Sequence, residues 1–118
     1  MNQAIKEKWI QALNSGEYPQ TRGCLKDDNG YCCLGVLSDL YQKETNIFHW
    51  ENRTDKDGTK YYEMGSETAV LPIEVVEWAG LDSNDPHFYI DGVFGYLSRL
   101  NDSGADFPDI SNYIAQNF

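Results

Sequence analysis

The stretch TRGCLKDDNGYCCLGVLSDLYQK, residues 21–43, changes character halfway along, and that change decides the fold. DDNG separates TRGCLK from YCCLG, and Asn-Gly tolerates the positive φ angles of a tight hairpin turn. Beyond it Cys33, Val36, Leu37 and Leu40 fall at i, i+3, i+4 and i+7, which predicts a helix entered straight from the second strand and ending near Lys43.

Upstream, Ile5, Trp9, Ala12 and Leu13 repeat at helical spacing, and NSGEYP stops them, so a first helix is expected over about residues 2–15. Downstream, IFHWENRTDKDGTKYYEM has aromatic ends around an Asp-Gly centre and reads as a second hairpin with a longer loop. LPIEVVEWAGL is a short helix, with Pro72 suited to its first position and Gly80 to its C-terminal cap. DSNDPHFYIDG reads as a loop, followed by a helix with Phe94, Leu97 and Leu100 on one face and stopped by Gly104. A last helix starts from Asp106 as N-cap and buries Phe107, Ile110 and Ile114. The expectation is one α+β domain over residues 1–118, with two short β-hairpins and about five helices around an aromatic-rich core.

An apolar share of 41% and an aromatic share of 14% suit a globular chain. No apolar run is long enough to span a bilayer, and the amphipathic start lacks the features of a secretion signal, so a cytoplasmic protein without a membrane partner is expected. Three cysteines without a disulfide spacing fit a reducing compartment. Of the net charge of -10, residues 1–60 carry only -1, whereas residues 61–118 set Arg99 alone against ten acids. That balance opposes direct binding of nucleic acid, which needs a basic face to neutralise phosphates. It also leaves the first half to supply the cations for any anionic ligand.

The adjacent Cys32 and Cys33 stand at a predicted helix N-terminus, where the dipole favours a thiolate. A nucleophile needs a base, however, and His49 and His87 lie in aromatic surroundings outside any cysteine-hydrolase motif. Core packing is the favoured reading of the pair, and no catalytic residue is assigned. RTDKDGTKYYEM imitates a calcium loop but puts Arg53 and Met64 where ligands belong, and neither zinc spacing nor a phosphate-binding glycine pattern occurs, so no metal and no cofactor is expected. What remains is polar and aromatic: EYPQTR at 17–22, Tyr31, HW at 49–50, YY at 61–62 and RLNDSG at 99–104. Aromatic faces stack on bases, Arg and Lys hold phosphate, and Asn or Asp reads a base edge or a ribose hydroxyl. The expected ligand-binding set is Gln20, Arg22, Lys26, Tyr31, Asn101 and Asp102, with Asn101 and Asp102 folding back to the first hairpin and two protomers of a homo-oligomer sharing the pocket.

W(x)2AL(x)SGEY(x)Q, GYCCLGVLSDLY, LPxEVxEWAGL, YLSRLNDSG and FxxI together resemble a family of small proteins encoded by tailed bacteriophages and their prophages. The resemblance runs over nearly the whole chain. It implies expression inside a host bacterial cell during infection and carries over no catalytic residue. Ser38 departs from it, standing where cysteine is frequent. Three functions are expected in turn: a phage accessory protein that binds without turnover, in counter-defence, by sequestering a small nucleotide immune signal; an acidic inhibitor of a basic, nucleic-acid-binding host protein; and a small cysteine hydrolase using Cys32 or Cys33.

Overall fold

The computed structural model describes residues 1–118. Helix α1 (Gln3–Asn14) is capped by the Asn2 side chain, which accepts the Ile5 N–H, and it buries Ile5, Trp9 and Leu13. Strands β1 (Lys26–Asp27) and β2 (Gly30–Tyr31) form the expected first hairpin. Its turn is pinned by Asp27, whose Oδ1 accepts the N–H groups of Asn29 and Gly30. A Cβ at Gly30 would collide with the Pro19 carbonyl, so that position needs glycine. Helix α2 (Cys33–Thr45) starts one residue after β2, as the change of period predicts.

Strands β3 (Glu51–Thr54) and β4 (Lys60–Glu63) make the second hairpin, and β4 also pairs with β1. The two hairpins thus merge into one antiparallel sheet of order β2-β1-β4-β3. Helix α3 (Ile73–Ala79) follows Pro72 and ends at Gly80, whose φ is 70°. After β5 (His87–Ile90) and β6 (Val93–Tyr96) come α4 (Leu97–Asp102) and α5 (Phe107–Asn117), the latter capped by Asp106.

The α+β architecture read from the sequence, with five helices, is the one observed. One segment differs. Residues 87–96 are a third hairpin where a loop and the start of a helix are expected, and α4 begins only at Leu97. Asp91 and Gly92 adopt positive φ angles of 52° and 79°, the conformation of a two-residue hairpin turn. Phe94 therefore stands on a strand rather than on a helical face. Its spacing to Leu97 fits a helix by coincidence, while the Asp-Gly turn sets the local geometry.

One core unites the helices. Trp9, Leu25, Leu34, Leu37, Met64, Leu71, Leu97, Ile110 and Ile114 are fully enclosed. The Trp9 indole N–H donates to the Cys33 carbonyl (2.9 Å), which ties α1 to the start of α2. No helix is long and apolar enough to cross a membrane.

Candidate ligand-binding face

Register builds the site. Lys26 stands opposite both Tyr31 and Tyr62, and Tyr62 opposite Asn52. Directly paired residues share a face, so Tyr31, Lys26, Tyr62 and Asn52 form a row across four strands. Trp50, two residues before Asn52, joins them. The Lys26 ammonium lies 5.1 Å from the Tyr31 ring centroid, 5.4 Å from that of Trp50 and 4.7 Å from that of Tyr62. Each distance is within cation–π range. The Lys26 ammonium has no carboxylate within 4.0 Å, in contrast to those of Lys8 and Lys43.

Behind this row stands Asp39 of α2, almost fully buried. Its Oδ2 accepts the Tyr18 hydroxyl (2.6 Å) and faces the Lys43 ammonium (3.1 Å), and its Oδ1 accepts the Trp50 indole N–H (3.0 Å). A carboxylate out of water needs such partners, and here they double as a frame that fixes two aromatic rings. Tyr18 meets Tyr31 edge-on at 5.0 Å, and Tyr31 meets Trp50 at 6.2 Å. Burial first, then the hydrogen bond to Asp39, push the Tyr18 hydroxyl up to about 12. Burial likewise raises Tyr31. The hydrogen bonds to Tyr18 and Asp39 raise Lys43, so it stays an ammonium at neutral pH, while the one hydroxyl proton of Tyr18 is spent on Asp39. A cleft of about 330 Å³ adjoins it, reaching from Tyr18 and Lys43 to Lys8 and Gln11.

The residues expected from the sequence divide three ways. Lys26 and Tyr31 lie together on this face. Gln20, Asn101 and Asp102 meet beside the first hairpin, on the segments that flank it, as a clamp. Asn101 is fully enclosed, its Oδ1 accepting from Gln20 Nε2 (2.8 Å) and the Cys33 N–H (3.2 Å), its Nδ2 donating to the Thr21 carbonyl (2.9 Å) and Asp102 Oδ1 (3.2 Å). Asp102 Oδ1 also accepts the Gly23 N–H (2.9 Å). Asn101 thus spends its whole hydrogen-bonding capacity inside the protein. Arg22 lies elsewhere, in a cleft of about 340 Å³ that it lines with Asp27, Asp55, Lys60 and Tyr61. Asp27, Tyr61 and Arg53 are paired in register one residue along from the Lys26 row, so this cleft opens on the opposite face of the sheet.

The thiols are packed. Cys32 is the N-cap of α2, its Sγ accepting the Gly35 N–H (3.4 Å), and the Cys33 thiol donates to the Leu97 carbonyl (3.6 Å). Burial pushes Cys32 up to about 12 and Cys33 well above the ordinary thiol range. Burial and then Asp27 lift Cys24 to about 11. Desolvation here outweighs the helix dipole, so the neutral thiols are poor nucleophiles. His87 stacks on Phe94 and Tyr96 instead of facing a cysteine.

Tyr18, Asp39, Lys43, Trp50 and Tyr62 were outside the expected set. Tyr18, Trp50 and Tyr62 belong to the polar and aromatic stretches, but the β1–β4 pairing is what brings Tyr62 to Lys26, and Asp39 is what holds Tyr18 and Trp50 beside them. Asp39 and Lys43 carried a local signal, an acid three residues after the core residue Val36 with a lysine one turn on.

A family model described as Domain of unknown function (DUF8296) matches residues 1–118, the whole chain. Neither a curated protein nor a solved structure matches it.

Proposed function

The chain belongs to the DUF8296 family, and from that premise and the chemistry of the sheet face we propose that it binds a small nucleotide without turning it over. One observation carries the reading: the Lys26 ammonium, free of any carboxylate, lies over the rings of Tyr31, Trp50 and Tyr62. A phosphate can take Lys26 as its partner through charge-assisted hydrogen bonds of about 1.5–3 kcal/mol each. The ammonium then leaves a ring face for the base, and stacking contributes about 1–3 kcal/mol per base. Lys43, held by Asp39 and the Tyr18 hydroxyl, offers a second anchor for a diphosphate. The raised thiols favour capture over turnover.

With the resemblance to tailed-phage proteins, this becomes counter-defence: a phage accessory protein in the host cytoplasm that sequesters a nucleotide immune signal. The test is calorimetry with cyclic dinucleotides and cyclic ADP-ribose isomers, followed by denaturation and mass spectrometry of what is released. Heat on mixing and an intact nucleotide recovered near one per site are expected. A chemically changed nucleotide would mean an enzyme, and no heat with any of these ligands would sink the proposal.

A further inference from the structure

The outward face of the third hairpin breaks the rule of alternation. Register places His87 opposite Tyr96 and Tyr89 opposite Phe94, and these four alternate with Phe88, Ile90 and Gly95 on the inner side and with Val93, which is 60% exposed beside the tip. On the inner side Phe88 is buried against Tyr113. The outer side, where an antiparallel ribbon ordinarily carries polar residues, is wholly aromatic. Tyr89 is 67% exposed and Phe94 53%. His87, Phe94 and Tyr96 stack on one another with centroids 5.1–6.3 Å apart, so the patch is continuous.

Beside the patch runs an open strand edge. The Tyr89 N–H donates to Asn117 Oδ1 (3.1 Å) rather than to β6, and the Leu97 N–H donates to the Pro86 carbonyl (3.0 Å). With the register above, these two bonds mark Tyr89–Phe94 and His87–Tyr96 as the non-hydrogen-bonded pairs of the ladder. The N–H groups of Phe94 and Tyr96 therefore point away from β5, along an edge that no other strand covers. A groove of about 300 Å³ lies there, between Phe94, Gly95 and Tyr96 on one side and Arg99, Leu100 and Ser103 on the other.

Charge selects the occupant. Asp91 forms the hairpin tip, Asp85 leads into β5 and holds the Ser98 hydroxyl, and Asp82 lines a cleft with His87. Arg99, which lines the groove, is the single cation of residues 61–118 and stands against ten acids, Asp82, Asp85 and Asp91 among them. We infer that the outer face and free β6 edge dock an extended, basic protein segment, whose backbone adds a strand to β6 while its Arg or Lys side chains lie over Phe94 and Tyr96. Main-chain bonds along the edge supply affinity, cation–π contacts and the acidic surroundings supply selectivity, and the aromatic rings are the anchors. A second copy of this chain is the poorer occupant, because it would bring the same acidic surface. This surface is distinct from the Lys26 face and uses none of its residues.

The experiment is an amide NMR titration of the whole protein with an extended peptide of alternating Arg and Val, against a Glu-Val control. Expected are shifts confined to residues 87–96 and their flanks, an affinity that falls steeply with salt, and binding weakened about tenfold by Phe94→Ser. Ile73→Ser, which removes an exposed apolar residue elsewhere, is expected to leave it unchanged. Shifts away from the hairpin, equal binding of both peptides, or no binding would overturn the inference. So would a dimer in sedimentation that Phe94→Ser dissociates, since the edge would then belong to a second copy. Mapping on the unaltered protein keeps the test valid even if a variant folds poorly.

Discussion

Two aromatic surfaces of this protein are built from the same kinds of side chain and differ in what stands behind them. On the four-stranded sheet, Tyr18 and Trp50 are fixed by a buried carboxylate and the rings surround an ammonium. On the outer face of the β5–β6 hairpin the rings stack on one another, and Tyr89 and Phe94 stand mostly in solvent. The first surface is preorganised, because Asp39 holds Tyr18, Trp50 and Lys43 in place before a ligand arrives, and it suits a small ligand held in one pose. The second offers exposed area and unpaired main-chain groups, which suit a longer partner. Aromatic content is therefore a poor guide to function until the polar frame behind it is known.

The sharpest way to break the contrast is Asp39→Ala. It leaves the Tyr18 hydroxyl, the Trp50 indole N–H and Lys43 without their partner, and a loss of about 2–4 kcal/mol of stability is expected. Urea unfolding followed by tryptophan fluorescence measures it. A loss below 0.5 kcal/mol, the ordinary size for a surface change, would mean that the carboxylate frames nothing.

Next in size is Lys26→Met, which keeps the length of the side chain and removes its charge. It should weaken nucleotide binding about tenfold or more, the equivalent of about 1.4 kcal/mol, and leave the fold intact. Arg22→Ala, on the opposite face, should change binding less than about twofold if the Lys26 face is the site. Equal losses from both, measured by calorimetry, would place the ligand across the edge of the sheet instead.

Alkali should loosen the first surface before the second. Tyr18 holds its proton more tightly when folded than when unfolded, its hydroxyl moving from an ordinary 10 up to about 12. Its contribution is therefore present in full below pH 10 and fades as pH rises toward 12. Lys43 is raised as well, so its contribution is lost in the same direction. The unfolding midpoint should fall across this window, and Tyr18→Phe should flatten part of the fall. An unchanged slope in that variant would show the hydroxyl to be unperturbed. The smallest effect belongs to Phe94→Ser, expected within about 0.5 kcal/mol of the parent in the same urea assay, because its ring is mostly in water. A larger loss would make that ring part of the core.

Residues 21–43 show why so much of the fold is legible locally. DDNG makes a turn held by its own Asp27 side chain, the spacing of Cys33, Val36, Leu37 and Leu40 makes a helix, and both signals are local. Asp91-Gly92, the positive-φ turn of the third hairpin, reads as part of a loop in the sequence, since Phe94, Leu97 and Leu100 offer a competing helical period over a short span. Lys26 and Tyr31 are legible as neighbours because hairpin pairing sets them side by side. Asn101 and Asp102 meet the segments beside that hairpin, and their use there as an internal clamp depends on burial, which no local pattern reports.

By itself the sequence determined the α+β class, the helix boundaries near Asn2, Cys32, Gly80 and Asp106, the lopsided charge and the supply of aromatic groups. Those follow from backbone sterics, periodicity and composition, which act over a few residues or over none. Only the tertiary structure decided that β1 pairs with β4, which brings Tyr62 to Lys26 across 36 residues of chain and separates Arg22 from both. Strand pairing at that distance is chosen by the burial of the whole core, and one residue of register sends each side chain to the opposite face of the sheet.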